Sequence, residues 1–297
     1  MDDISQKNIL IAGLARNCGG TIRQSVAQLR DALKPFKSLQ WLVIESDSSD
    51  DTLAALETLQ AVVPGFRFIS HGRLRDKLPL RTQRIAYCRN SYLDEMEKNP
   101  AYANTDYLLV ADLEGANDLI SQDAVRSCWA RDDWDVCTAN QRGPYYDIWA
   151  LRHDVWCPND CWEQQKFLEE NGVEPEKARY VAVYSRMITI PENAEWIEVK
   201  SAFGGFALYR RKALDGARYI GLDDRGREIC EHVTLHRDLV AKGYRLFINP
   251  RLINASAINH TDERNFLPGV KRRLKRRIRT MLGPERVKKI KSLIDEE

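Results

Sequence analysis

Short apolar runs alternate with stretches in which apolar side chains return every three or four positions, and this alternation governs the first 120 residues. NILIAGLA (8 to 15), QWLVIES (40 to 46), FRFIS (66 to 70) and YLLVAD (107 to 112) predict strands. Between them, Ile22, Val26, Leu29 and Leu33 predict a helix over 21 to 33. Leu53, Leu56 and Leu59 predict a second, with Ser49 or Asp50 as its cap. Ile85, Cys88, Tyr92, Leu93 and Met96 form a stripe that predicts a third over 81 to 98. Strand–helix repeats with short connections predict an α/β class chain with a doubly wound, mostly parallel sheet flanked by helices.

Beyond residue 120 the pattern loosens. A helix is expected over 121 to 130 and a strand over 134 to 139, followed by a long aromatic loop, RGPYYDIWALRHDVWCPNDCW. EVKSAFGGFALYRRKAL predicts a loop, a strand through Phe206 to Tyr209 and a helix start. CEHVTLHRDLVAKG (230 to 243) predicts a helix that stops at Gly243, a favourable C-terminal cap. YRLFINPRLINA predicts a pair of strands around Pro250. Phe266, Leu267, Val270, Leu274, Ile278 and Met281 then share one face of an amphipathic helical appendage, which divides the chain into a domain over 1 to 260 and a basic tail over 261 to 297.

The chain has 297 residues, 43% hydrophobic and 30% charged, enough for a sizeable core. No apolar stretch approaches the length of a spanning helix. The start, MDDISQKNILIAGLARN, lacks the basic opening and cleavage site of a signal peptide. The 7 cysteines include no Cys-x-x-Cys pair, which points to reduced thiols in a cytosolic setting; Cys157 and Cys161 lack the second pair a zinc site needs. The net charge of +2 conceals an asymmetry: residues 271 to 291 hold eleven Lys or Arg against Glu285, a net of +10, so the rest carries −8. Such a tail calls for an anionic partner, and an amphipathic basic helix suits an anionic membrane surface better than nucleic acid, for which no binding fold is evident.

Chemistry concentrates where YLLVAD meets Asp112 and Glu114. In open α/β sheets ligands bind beyond the carboxyl ends of the strands, so both acids belong at the rim of a cleft. Hard oxygen donors there suit Mg²⁺ or Mn²⁺, which in turn holds a diphosphate; an ordinary acidic loop is the alternative. Glu45, ending the second strand, is placed to accept hydrogen bonds from a nucleobase or ribose, or to sit in the field of the following helix. Arg84 and Arg89 are candidates to neutralise a diphosphate. His232 and His236 share a helical face, flanked by Glu231. Tyr146, Trp149 and Arg152 offer stacking and hydrogen bonds to sugars, and Gly204 and Gly205 permit close backbone approach.

In order and spacing these segments resemble a GT-A type nucleotide-sugar glycosyltransferase. QWLVIESDSSDDT and RIAYCRN stand where family-2 enzymes carry a strand with an acidic turn and an Ala-Arg-Asn segment. WLVIESDSSDDT, RIAYCRN, YYDIWALR, SAFGGFALYR and CEHVTLHRDLVAKGYRLFINP also resemble the fungal capsule-associated α-1,3-mannosyltransferase family, over roughly residues 8 to 257. The resemblance implies a GT-A Rossmann-like domain that moves a sugar from a GDP- or UDP-sugar, GDP-mannose first, to a glycan or lipid-linked acceptor with Mn²⁺ or Mg²⁺. It implies nucleotide binding by Ala12, Asn17, Glu45, Arg84, Arg89 and Asp112. Metal binding falls to Asp112, Glu114 and His236; Asp-Leu-Glu stands here where many relatives have Asp-x-Asp. Glu231 and Asp147 become the catalytic carboxylates, and Tyr146, Trp149, Arg152, Gly204, Gly205 and His232 the acceptor and sugar contacts.

Glu231 near an acceptor hydroxyl would serve an inverting mechanism as general base. The mannosyltransferase resemblance favours retention, in which the leaving phosphate takes the proton. It also implies work in cell-surface polysaccharide synthesis, on the cytoplasmic face of a membrane. A sugar-phosphate nucleotidyltransferase is a rival, although AGLARNCGGT has Arg16 and no lysine in its loop; a non-catalytic glycan-binding protein on the same fold is a second.

Overall fold

The structure, a computed structural model, describes residues 3–256. The amphipathic appendage and basic tail expected over 261 to 297 lie outside the described residues. Strands β1 (Asn8–Ala15), β2 (Ser38–Glu45), β3 (Phe66–Ser70) and β4 (Tyr107–Ala111) alternate with helices α1 (Ile22–Ala32), α2 (Thr52–Val62) and α3 (Arg81–Lys98). Then come α4 (Gln122–Arg126), β5 (Val136–Gln141), α5 (Cys161–Glu170), α6 (Pro175–Ala182), β6 (Ile197–Val199), β7 (Phe206–Arg210), α7 (Glu231–Ala241) and β8 (Leu246–Ala255). Among the described residues these eight strands make one sheet in the order β3-β2-β1-β4-β7-β5-β8-β6.

β1, β2, β3 and β4 pair in parallel, β7 runs antiparallel between β4 and β5, and β5 pairs in parallel with β8. The mostly parallel, helix-flanked sheet expected from the sequence is therefore present. Its central strands are buried on both faces, which is why β1 and β4 read as continuous apolar runs. One face packs Ile22, Val26 and Leu29 of α1, Leu56 and Leu59 of α2 and Val125 of α4. The other packs Tyr92, Leu93 and Met96 of α3, Leu235 and Leu239 of α7, and the segment from Tyr145 to Cys161.

Three details differ from expectation. The pair of strands around Pro250 is a single strand, β8, whose register against β5 breaks between Thr138↔Ile248 and Asn140↔Ile253. Proline supplies no N–H, and the Asn140 side chain bridges the break by donating to the carbonyls of Pro250 (3.0 Å) and Ile190 (3.0 Å). Helices α5 and α6 follow the aromatic loop in a stretch for which the sequence predicts no element. They are short and bury only Cys161, Ala178 and Ala182, so each shows too few apolar positions for a clear stripe. The short edge strand β6 was likewise not expected. All 7 cysteines are free thiols and buried, and no described helix is long and apolar enough to cross a membrane.

Candidate active site

β4, β5 and β8 point the same way, so their carboxyl ends share one rim with the start of the antiparallel β7. Asp112 is the first residue beyond β4 on that rim. Its N–H donates to the Gly205 carbonyl (2.9 Å), extending the β4–β7 ladder by one step. Gly204 and Gly205 form the turn into β7 with φ of +68 and +83, which only glycine adopts cheaply. A Cβ on Gly205 would stand 2.9 Å from the Tyr146 hydroxyl and 3.5 Å from Asp112 Oδ2, so both groups hang over this turn. On its other side Gly204 N donates to Asp147 Oδ2 (3.0 Å). Two carboxylates thus flank one glycine pair.

Behind them a buried ion pair joins two helices. Arg89 Nε on α3 donates to Glu231 Oε1 on α7 (2.9 Å), with both side chains 7% exposed. The guanidinium lies 5.3 Å from the Phe203 ring centre and 5.7 Å from that of Tyr219, a cation–π enclosure that offsets part of its desolvation. His232 stacks on Phe203 at 4.0 Å between centroids. It is buried with both ring nitrogens unpartnered, and Nε2 lies 3.7 Å from Glu231 Oε1, beyond hydrogen-bond range.

The electrostatics follow from this crowding. Burial pushes the Asp112 carboxyl up to about 7, the field of Arg89 opposes the rise, and Asp147, Glu114 and Glu231 add to it. Asp147 is also raised, by burial first, against the N–H groups of Gly204 and Ala150. Burial and the Arg89 charge keep His232 neutral, well below the usual histidine range. A rim that crowds carboxylates in a desolvated place favours a cation. Among the described residues no three His, Cys, Asp or Glu side chains converge tightly enough to hold an ion alone. Mg²⁺ commonly takes one or two carboxylates and completes its shell with waters and substrate phosphates. Asp112, with the exposed Glu114 two residues on, supplies such a donor set.

Several expected site residues are spent elsewhere. Ala12 lies fully buried in mid-strand, between Leu42 and Val110, away from the carboxyl end of β1. Glu45 is 1% exposed; its Oε1 accepts from Ser48 N (3.0 Å) and its Oε2 from the Ser70 hydroxyl, so it locks a turn rather than reading a base. Arg84 donates to the carbonyls of Leu78 (2.8 Å) and Pro79 (2.7 Å) and stands 3.5 Å from Asp47, a strut rather than a diphosphate ligand. Arg89 is committed to Glu231. His236 is fully buried with Nδ1 on Ser201 Oγ (3.0 Å) and Nε2 on Tyr209 Oη (2.8 Å), which leaves no nitrogen for a metal. Trp149 Nε1 and Arg152 Nη2 both donate to Asp160 Oδ2 (3.0 and 2.7 Å), tying the aromatic loop to itself. Gly204 and Gly205 are buried and shape the rim from beneath. Asn17 is exposed at φ +50, with Oδ1 accepting from Ser49 N (2.7 Å), and remains at the rim.

Two features escaped the sequence. Asp47, just after β2, adopts φ +59, rare for a residue with a side chain, and its Oδ1 is gripped by Arg75 Nε (3.1 Å) and N (3.0 Å). Its place within the SDSSDDT turn was the available signal. The amides of Asn117, Gln141 and Asn254 gather behind Asp112 from three separate segments, and nothing local marks them.

No family model matches this chain, and no curated protein matches it in sequence. Its fold is similar to that of a mannosyltransferase from Pyrobaculum calidifontis, solved in complex with GDP-Man and Mn²⁺, at a TM-score of 0.51 and 13% identity. The match covers 85% of this chain and spans 57% of that protein's length. Looser likenesses are to S. aureus TarS 1-349 in complex with UDP-GlcNAc (TM-score 0.45, 13% identity, 86% of this chain and 61% of that one). Another is to glucosyl-3-phosphoglycerate synthase from Mycobacterium tuberculosis in complex with Mn²⁺, UDP-Glc and phosphoglyceric acid (0.36, 14%, 84% and 69%). The first of these likenesses shows the fold, a GT-A type sheet with its helices.

Proposed function

We propose that the chain is a nucleotide-sugar glycosyltransferase in which Asp112, assisted by Glu114, holds Mn²⁺ or Mg²⁺ against the diphosphate of a GDP- or UDP-sugar. The observation that carries this reading is the position of Asp112: on the rim at the carboxyl end of β4, with a carboxyl pushed up to about 7 in the company of Asp147 and Glu231. When bound, the ion neutralises charge as the diphosphate departs. Tyr146 and Asp147 border the same turn and are placed to orient the sugar. The sequence resemblance to capsule-associated mannosyltransferases supports GDP-mannose as the first donor, a glycan or lipid-linked acceptor, and a role in cell-surface polysaccharide synthesis.

Retention is the stereochemistry we favour. Glu231 Oε1 accepts from Arg89 Nε (2.9 Å), and Asp147 accepts from Gly204 N (3.0 Å) and, at longer range, Ala150 N (3.4 Å), so both carboxylates are already engaged by the protein rather than directed at an acceptor hydroxyl. The bond from sugar C1 to the diphosphate oxygen breaks, the acceptor oxygen bonds to C1 on the same face, and the departing phosphate oxygen takes the acceptor proton. Turnover of a nucleotide-sugar panel tests the activity. Release of GDP or UDP with Mn²⁺, abolished by EDTA and restored by Mn²⁺, is the expected outcome; nucleotide formation from NTP and sugar phosphate, or binding without turnover, contradicts it.

The basic segment over 271 to 291 supports a peripheral location on an anionic membrane surface, on the cytoplasmic face where a lipid-linked acceptor would be presented. Deleting residues 265 to 297 is expected to abolish co-sedimentation with phosphatidylserine vesicles and to spare transfer to a soluble acceptor. Vesicle binding that persists in the truncated protein refutes the anchor.

A further inference from the structure

Three side-chain amides converge beneath the carboxylate rim, each from a different element end. Gln141 is the last residue of β5, Asn254 lies next to the end of β8, and Asn117 belongs to the loop after β4. All three are buried, at 1%, 0% and 2% exposure. Their hydrogen bonds run in one direction. Gln141 Nε2 donates to Asn254 Oδ1 (3.1 Å) and to the Gly204 carbonyl (3.1 Å). Asn254 Nδ2 donates to Asn117 Oδ1 (2.8 Å) and again to the Gly204 carbonyl (2.8 Å). Asn117 Nδ2 donates to the carbonyls of Asp112 (2.8 Å) and Gly205 (3.3 Å).

The carbonyls at the end of this relay belong to the residues that place the two rim carboxylates. Gly205 O receives the Asp112 N–H, and Gly204 carries the N–H that binds Asp147. Two consecutive glycines at positive φ have no side chains to fix them, so the turn needs outside restraint to hold one geometry. Amides suit that role, since they donate two hydrogen bonds without adding charge to a rim already crowded with carboxylates. The fit is close, since a Cβ on Gly204 would stand 2.9 Å from Gln141 Nε2 and one on Gly205 3.4 Å from Asn254 Nδ2.

We infer that Gln141, Asn254 and Asn117 are positioning residues, a clamp that fixes Asp112 against the Gly204–Gly205 turn and thereby sets the strength of cation binding. The inference rests on the transferase reading above for its catalytic meaning, and on the geometry alone for the clamp. Groups that orient metal ligands alter metal affinity by about 10- to 100-fold when removed. Asn117→Ala and Gln141→Leu are accordingly expected to raise the Mn²⁺ concentration for half-maximal GDP binding and donor turnover by about tenfold or more. The control is Asn140→Leu, which removes a buried amide of the same strand that bonds Ile190 and Pro250 instead of the glycine turn. It is expected to lower the melting temperature as much as the clamp variants do and to leave the Mn²⁺ requirement unmoved.

Equal Mn²⁺ requirements in clamp variants, control and wild type overturn the inference. So does a shift shared by Asn140→Leu, because that would trace to stability alone. If the wild type neither binds GDP with Mn²⁺ nor turns over a donor, the transferase reading fails, and crystal structures of Asn117→Ala and Gln141→Leu then decide the clamp. Displacement of the Gly204–Gly205 carbonyls relative to Asp112 upholds it, and an unmoved turn refutes it.

Discussion

Asp112→Asn is expected to lower sugar transfer by about 10³-fold or more while making the metal-free protein more stable at pH 8. Both effects have one cause. The carboxyl sits at the end of a strand, partly desolvated and near Asp147, Glu114 and Glu231, with the field of Arg89 as the opposing influence. Its proton is held up to about 7 in the folded chain, against an ordinary value of 3.8. The unfolded chain releases that proton first. Folding stability therefore falls as pH rises from about 4, and the full cost is reached above about 7.

Each unit of displacement is worth about 1.4 kcal/mol, and partial exposure and relaxation leave a cost of about 2 kcal/mol at pH 8. An amide carries no such cost, so the variant should melt about 5 °C higher at pH 8 in EDTA and gain less at pH 5. His236 produces the opposite slope, since burial holds its ring down to about 3 and stability is gained as pH rises from there to about 6.5. That contribution is common to both proteins and cancels in the difference. A variant no more stable than wild type at pH 8 would contradict the electrostatic account.

The second large effect belongs to Arg89. Arg89→Met strips the partner from Glu231, a carboxylate that is 5% exposed and lies in the field of Asp112 and Asp147. Breaking a buried pair on one side costs about 3–5 kcal/mol, because the remaining charge stays desolvated. The melting temperature should drop by about 10 °C. Arg89→Met combined with Glu231→Gln removes both charges and should recover most of the loss, which separates the ion pair from mere packing of the methylene stem. Had Arg89 faced a diphosphate, as the sequence suggested, Arg89→Met would raise the donor KM and leave folding stability alone. Thermal melts of the two variants distinguish these outcomes.

What the sequence revealed, and what it hid, follows from the range over which each signal acts. β1, β2 and β4 are buried on both faces, so their composition alone identified them, and the helices between them display their apolar stripes. Asp112 could be placed at a rim because a parallel strand ends there. The side chains of Glu45, Arg84 and Arg89 could not be placed, since a carboxylate or guanidinium beside a strand end is equally able to bind a ligand or a neighbour. Here Ser48, Ser70, Leu78, Pro79 and Glu231 claimed them. His232 and His236 do share a helical face, but that face is the buried one, and Ser201 and Tyr209 reach His236 from distant segments. Pro250 looked like a strand break because its missing N–H is visible in sequence, whereas the Asn140 side chain that bridges it is not.

The proposed chemistry turns on Asp112 holding a divalent cation against a nucleotide diphosphate. Titration calorimetry of GDP and UDP into the intact protein, with Mn²⁺ and with EDTA, tests it most directly. The wild type should bind one of the two at least about tenfold more tightly with Mn²⁺, and Asp112→Asn should lose that difference. Affinity indifferent to Mn²⁺ in the wild type, or a Mn²⁺ effect that survives Asp112→Asn, would contradict the account.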